Sequence, residues 1–116
     1  MSIDYVNIDE GLARVRGNKK LFRRMLSLFD ASEEFSKFEA FLAEGDYEKA
    51  GEVAHAIKGI TGNLSMNPLF ELSAKLMTDL RQGIYNEADI VEYRDALSKT
   101  RGRVAELEAQ IDAENA

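Results

Sequence analysis

One segment of the chain carries the residues whose types and spacing could do chemistry. It reads EVAHAIKGITGNLS over residues 52–65 and holds the chain's single histidine, His55, followed by Lys58, Gly59 and Gly62. A neutral imidazole is a good nucleophile near pH 7, because the ordinary histidine pKa is about 6.5. Lys58 follows one helical turn later, close enough for its ammonium to reach an anion held at His55. These residue types favour phosphoryl transfer.

The helical periodicity of this segment places the histidine away from the core. With His55 at zero and about 100° per residue, Lys58 falls at about −60°, Gly59 at about +40° and Gly62 at about −20°. The aliphatic residues, at about 140° to 200°, are Val53, Ile57, Ile60 and Leu64. An interior glycine destabilises a helix by about 1 kcal/mol relative to alanine. We therefore interpret both glycines as open surface that lets a partner approach His55.

Other chemistries fit these residues less well. A metal site would find only Glu48 and Glu52 near His55, and the chain has no cysteine. A haem ligand would face an apolar interior, whereas His55 shares its face with lysine and glycine. A Ser-His-Asp hydrolase would need a nucleophile and a pocket that no motif marks. A solvated histidine without function leaves the two glycines unexplained, because alanine would suit such a face better.

The composition indicates one soluble globular domain over residues 1–116. The chain has 45% hydrophobic and 31% charged residues, an ordinary balance for a chain of this size. A net charge of −6 argues against nucleic acid or an anionic membrane as the partner. We find no signal peptide and no apolar run long enough to span a membrane. We expect a cytoplasmic protein that acts as a monomer.

The hydrophobic pattern predicts five helices. A short one covers residues 7–16, and four longer ones cover about 19–44, 46–64, 67–82 and 86–112. In the first long helix the expected core stripe consists of Leu21, Met25, Leu28, Phe35, Phe38 and Leu42. In the last, a heptad seam runs through positions 90, 93, 97, 100, 104, 107 and 111. The predicted fold class is all-α, an antiparallel up-down four-helix bundle with a short extra N-terminal helix.

Residues 54–64 resemble the core motif of histidine-containing phosphotransfer (HPt) domains. They read Ala-His-Ala-Ile-Lys-Gly-Ile-Thr-Gly-Asn-Leu, and the family motif commonly reads Ala-His-x-Leu-Lys-Gly followed by small residues. The segment before it is also similar, at Ile8, Asp9, Gly11, Leu12, Arg14, Gly17, Asn18, Leu21, Phe22 and the turn Gly45-Asp46. The resemblance spans most of residues 8 to 83. The chain departs from the family at Asn18, Thr61 and Ser65, the last standing where glycine is frequent.

The resemblance implies a phosphorelay intermediate. His55 would accept a phosphoryl group from the aspartate of one receiver domain, in a response regulator or a hybrid histidine kinase, and pass it to another. Lys58 would stabilise that group, and Gly59 and Gly62 would give the partner access. The receiver would supply Mg²⁺, and this chain would hold no metal or other cofactor. Since the sequence lacks a Gly-x-x-x-x-Gly-Lys-Ser/Thr loop, we expect a phosphocarrier and not an enzyme.

Two other functions stay open. The chain could be a helical bundle that docks on receivers but carries no phosphate, although the intact His-x-x-Lys-Gly set counts against it. It could also be the phosphoacceptor domain of a chemotaxis-type histidine kinase, which shares that motif. An initiating methionine and a polar C-terminal end favour a free-standing protein.

Overall fold

The computed structural model describes residues 3–115, where the regular elements are six α-helices. They are α1 (Ile8–Arg14), α2 (Lys19–Ala31), α3 (Glu34–Glu44), α4 (Tyr47–Asn63), α5 (Asn67–Arg81) and α6 (Glu87–Glu114). The prediction of an all-α bundle is confirmed. Apart from the first long helix, the predicted helix limits lie within two residues of the observed ones.

The prediction of a single helix over residues 19–44 is wrong, because the helix is interrupted at Ser32 and Glu33. Ser32 has an extended backbone (φ −66°, ψ 131°), and its Oγ accepts the N–H of Glu34 at 3.3 Å. A serine hydroxyl competes for backbone hydrogen bonds and thereby favours helix ends over helix interiors. The chain therefore leaves α2 after Ala31 and begins α3 at Glu34.

The core face of α2 is not the predicted one. The buried residues are Phe22, Leu26 and Phe29, each at most 1% exposed. The predicted stripe lies one residue earlier, and there Leu21 is 40% and Leu28 is 65% exposed while Met25 is half-buried. In α3 the prediction holds, since Phe35 and Phe38 are buried. The helix α2 thus has two adjacent apolar stripes, of which only one packs in the core.

The longest helix, α6, lines the core along most of its length, and all seven predicted seam positions are buried. They are Ile90, Tyr93, Leu97, Thr100, Val104, Leu107 and Ile111. The buried Thr100 hydroxyl donates to the carbonyl of Ala96 at 2.6 Å, so its burial leaves no unmet hydrogen bond. The ring of Tyr93 meets Phe38 edge-on with centroids 5.0 Å apart, which joins α6 to α3.

Two arginines connect α6 with α2 and α3. Arg23 in α2 donates to Glu108 at 2.6 Å and to the two carboxylate oxygens of Asp112 at 3.0 and 3.1 Å. Arg94 in α6 donates to Glu39 in α3 at 2.6 and 3.2 Å. The first half of α2 therefore meets the end of α6, and α3 meets its beginning. The α2–α3 segment runs antiparallel to α6.

An ion pair between a buried aspartate and an exposed lysine fixes the start of α6 against α5. The side chain of Asn86 caps α6 by accepting the N–H of Asp89 at 3.2 Å. Asp89 is only 6% exposed, and its carboxylate lies 2.9 Å from Nζ of Lys75 in α5. Because a buried carboxylate is destabilising without a partner, Lys75 ties the two helices together.

The helices α4 and α5 form an antiparallel hairpin with closely spaced backbones. A Cβ at Gly51, near the start of α4, would lie 3.1 Å from the backbone nitrogen of Arg81, the last residue of α5. A Cβ at Gly62, near the end of α4, would lie 3.1 Å from the ring of Phe70, near the start of α5. Glycine at these two positions allows the close approach.

Candidate functional site

The helix that carries the histidine, α4, has defined ends. Asp46 caps its start by accepting the N–H of Lys49 at 3.2 Å. At its end Ser65 adopts the left-handed conformation with φ +53°, and the N–H of Met66 donates to the carbonyl of Thr61 at 2.9 Å. This is a Schellman-type termination, in which the left-handed position is usually glycine. This left-handed conformation explains why the motif of histidine-containing phosphotransfer domains often has glycine where this chain has Ser65.

The side chain of Ser65 also brings α1 to the end of α4. Its Oγ accepts a hydrogen bond from Nε of Arg14 at 3.1 Å, and its carbonyl accepts the N–H of Asn7 at 2.9 Å. Arg14 belongs to α1, and its side chain is 51% exposed. The guanidinium is thereby held near the surface that His55 occupies.

His55 is exposed on the outer face of α4, as the helical periodicity predicts. The opposite face carries Val53, Ile57 and Leu64, which are all buried, while Ile60 is half-buried against the core. The imidazole is therefore accessible to a partner.

One ring nitrogen of His55 has a neighbour within hydrogen-bonding distance on α5. Nδ1 lies 3.1 Å from the thioether sulfur Sδ of Met77. The contact leaves Nε2 as the ring nitrogen that Met77 does not engage. The sequence pattern did not indicate this pair, because it depends on how α4 and α5 are aligned.

Lys58 lies one helical turn after His55 and is half-buried. Its Nζ lies 5.9 Å from the centroid of the Phe70 ring, within the range of a cation–π interaction. The ring and the aliphatic stem position the ammonium at the surface. Lys58 thus supplies a positive charge on the same side of α4 as the histidine.

The two glycines after His55 have different surroundings. Gly59 is exposed, and a Cβ built there would have no neighbour within 4 Å. Gly62 is half-buried, and the Phe70 ring occupies the space its side chain would enter. The expectation that both glycines lie away from packed helices holds for Gly59 and is wrong for Gly62. Gly62 packs against α5, because α5 covers the flank of α4 beside the histidine.

All four predicted site residues line one shallow depression of about 360 Å³. Its lining comprises Arg14, His55, Lys58, Gly59, Gly62, Asn63, Asn67 and Phe70. Two cations, Arg14 and Lys58, thus share a concave surface with the imidazole, together with amide groups that can donate hydrogen bonds. Such a surface suits an anion of small size.

Four of these lining residues were not predicted as site residues from the sequence: Arg14, Asn63, Asn67 and Phe70. Arg14 and Asn63 belong to the segments that resemble the family, and Asn67 and Phe70 lie at the start of the helix predicted over residues 67–82. Their place at the depression depends on the hairpin of α4 and α5 and on the bond from Arg14 to Ser65. The family resemblance at Arg14 and Asn63 was the sequence signal that could have found two of the four.

A second, apolar depression of about 410 Å³ adjoins the first. It is lined by Met25, Leu28, Phe29, Ala31, Ser32, Ile60, Asn63 and Leu64. Asn63 lines both depressions, so the apolar surface continues directly from the polar one. We call this surface the α2–α4 groove; it exposes the second apolar stripe of α2.

Within residues 3–115, no group of three or more histidine, cysteine, aspartate and glutamate side chains is arranged to hold a metal ion. Over the same residues, none of the helices combines the length and the apolar character that crossing a membrane requires.

Comparison with known protein families matches residues 24–114 to the family described as Hpt domain. The match includes the predicted site residues His55, Lys58, Gly59 and Gly62, and it extends through α6, beyond the resemblance over residues 8 to 83. The similar segment over residues 8–22 lies outside it. No curated protein and no solved structure matches the chain.

Proposed function

Because the chain belongs to the Hpt domain family, whose members are phosphocarriers of two-component signalling, we propose that His55 is its phosphoacceptor. In this role His55 accepts a phosphoryl group from the aspartate of one receiver domain and delivers it to the aspartate of another. The observation that carries the proposal is the exposed imidazole next to Gly59, in one depression with two cations. The family's partners, the receiver domains, are the source and the destination of the phosphoryl group.

The transfer exchanges one bond to phosphorus for another. The lone pair of Nε2 attacks the phosphorus of the aspartyl phosphate, a P–N bond forms, and the P–O bond to aspartate breaks. The electron pair of that bond stays with the departing carboxylate. Negative charge on the three equatorial oxygens is stabilised by nearby cations, which is the role we assign to Lys58 and Arg14. Mg²⁺ belongs to the receiver and not to this chain.

Access of the partner depends on Gly59 and on the α2–α4 groove. In-line attack requires that the phosphoryl donor reaches His55 end-on, and Gly59 presents only backbone there. The groove supplies apolar contact area beside the reacting atoms, and contiguous exposed apolar surface is typical of interaction sites. We assign Leu28, Met25 and Ile60 to the docking of the receiver. Gly62 acts indirectly, because it lets Phe70 pack closely and support Lys58.

The contacts between neighbouring helices support an up-and-down order. Here α2 and α3 form the first column of a four-column bundle, followed by α4, α5 and α6. The net charge of −6 and the missing cysteines suit the cytoplasm, where we place the protein as a monomeric carrier between receivers.

Phosphate labelling tests the proposed function. A receiver domain phosphorylated on aspartate, incubated with this protein and Mg²⁺, should transfer label to His55 as acid-labile, alkali-stable phosphate. His55→Gln removes the nucleophile from an exposed position and should fold as the wild type does, yet take up no label. Label that persists in His55→Gln would place the phosphate elsewhere. Binding of the receiver without labelling of the wild type would indicate the docking function instead.

A further inference from the structure

We propose that Met77 is a positioning residue for His55, whose thioether holds the imidazole in the tautomer that keeps the Nε2 lone pair free. The proposal rests on the proposed function, because the tautomer matters for a ring that acts as a nucleophile. The observation behind it is the 3.1 Å contact between Nδ1 of His55 and Sδ of Met77.

The chemistry of the two groups assigns the hydrogen in this contact. A thioether sulfur has lone pairs and carries no hydrogen, so it can only accept. The contact is therefore a hydrogen bond when Nδ1 carries the ring hydrogen. In a neutral imidazole only one nitrogen carries hydrogen, so Nε2 is then unprotonated. The bond at one side of the ring thus determines which nitrogen can attack phosphorus.

The sulfur is held in place by the packing of α5 on α4. Met77 is partly buried against the hydrophobic core, and its neighbour Leu76 is 1% exposed. On either side of the His55–Met77 pair, Gly51 and Gly62 allow the two helices to approach closely. A group on a rigid, packed helix positions a reactive side chain better than one on a loop does.

The proposed tautomer suits the bond exchange at phosphorus. When Nε2 uses its lone pair to form the P–N bond, Nδ1 keeps its hydrogen and no proton has to leave the ring. Positive charge then develops on the imidazole, next to a polarisable sulfur that already accepts the Nδ1 hydrogen. Met77 does not contact the phosphoryl group in this scheme, so it acts only through His55.

Two variants separate the acceptor from the volume of the side chain. Met77→Leu keeps an apolar side chain of similar size but removes the acceptor. Met77→Gln has a similar length and offers a carbonyl oxygen that can accept the same hydrogen. For each protein the ¹⁵N shifts of both ring nitrogens report the tautomer of the neutral ring, and transfer from a phosphorylated receiver reports the rate.

We expect Met77→Leu to shift the tautomer toward hydrogen on Nε2 and to slow transfer by about two- to five-fold, the effect of losing one modest hydrogen bond. Met77→Gln should restore both measurements. Ring shifts in Met77→Leu that equal those of the wild type would overturn the proposal, whatever the transfer rate. A wild type that accepts no phosphoryl group contradicts the proposed function instead, while its ring shifts still decide whether Met77 holds the tautomer.

Discussion

The ring of Phe70 occupies the space that a side chain at Gly62 would enter, with two ring carbons 3.1 Å from the position of its Cβ. Three residues earlier on the same helix, Gly59 has no neighbour within 4 Å of that position. Glycine is therefore required at the two positions for different physical reasons. Gly62 allows α5 to pack closely on α4, and Gly59 leaves the surface next to His55 open.

Glutamine substitutions at these two glycines should have opposite effects on stability. Gly59→Gln should stabilise the protein by about 0.5–1 kcal/mol, because glutamine is a far better helix former than glycine and meets open space. Gly62→Gln has the same gain in helix propensity but must displace the Phe70 ring, and we expect the overpacking, about 1–3 kcal/mol, to outweigh that gain. Denaturant melts of the two variants measure both values.

The same Gly59→Gln variant should transfer phosphate more slowly, because its side chain obstructs the approach to His55. Gly59→Ala, which adds one methyl group, should keep the gain in stability with a smaller loss of rate. A destabilised Gly59→Ala would show that this position is packed, contrary to the structure.

Removal of the lysine charge should affect transfer more than stability. Lys58→Ala loses a cation–π contact at the surface, which contributes about 0.5–1 kcal/mol, and we expect its transfer rate to fall. Lys49→Ala is a control on the same helix, since Nζ of Lys49 lies 5.8 Å from the centroid of the Phe41 ring and also 3.7 Å from the carboxylate of Asp46. It should lower stability similarly and leave transfer unchanged. Equal transfer rates for the two variants would leave Lys58 with a purely structural role.

A polar residue in the α2–α4 groove should weaken binding of the receiver without unfolding the bundle. Leu28 is 65% exposed, so Leu28→Ser should change stability by less than about 0.5 kcal/mol. If the receiver covers Leu28, the free energy of receiver binding should become less favourable by about 1 kcal/mol or more in Leu28→Ser, as measured by calorimetric titration. Val91 in α6, 56% exposed and outside both depressions, provides the control Val91→Ser. An unchanged affinity of Leu28→Ser would place the docking surface elsewhere.

The cluster at the end of α6 predicts two opposite dependences on pH. Burial raises the pKa of Glu108, and the nearby Asp30 adds to the effect. Ionisation of Glu108 therefore lowers the stability of the fold as the pH rises above 4.5, the ordinary pKa of a glutamate. Relative to wild type, Glu108→Gln should become progressively more stable as the pH rises above 4.5, over the interval in which Glu108 of the folded protein loses its proton.

In the same cluster Asp112 should behave in the reverse sense. The hydrogen bond from Arg23 lowers the pKa of Asp112 below its ordinary value of 3.8, so its stabilising effect is present above that value and is lost on acidification. Asp112→Asn should be destabilised at neutral pH, and the deficit should shrink as the pH falls below 3.8. Melts across the acidic range measure both trends. Parallel trends in the two variants would contradict the assignment.

The sequence predicted the buried face of α6 and failed on that of α2 for a physical reason. In α6 every seam position except Thr100 is hydrophobic and most residues beside them are polar, so one face is defined. In α2, Leu21 precedes Phe22, Met25 precedes Leu26 and Leu28 precedes Phe29. Two adjacent apolar stripes satisfy the same periodicity, and only tertiary packing decides between them. The stripe that stays outside forms part of the groove.

The candidate site was predictable in its single-helix part and unpredictable where two helices meet. The positions of His55, Lys58 and Gly59 follow from the turn of one helix. The contact of His55 with Met77 and that of Gly62 with Phe70 depend on the alignment of α4 with α5. The hydrophobic periodicity of a single segment cannot predict that alignment. Arg14 depends on yet another contact, the hydrogen bond to Ser65.

The antiparallel hairpin of α4 and α5 has a consequence for the order of folding. The contact between His55 and Met77 joins residues 22 positions apart, whereas Arg23 and Asp112 are 89 positions apart. Closing a short loop loses less chain entropy than closing a long one, and local contacts form faster. We expect the surroundings of the imidazole to assemble early, before α6 docks on α2, so that amide exchange during refolding protects α4 and α5 ahead of the α2–α6 contact.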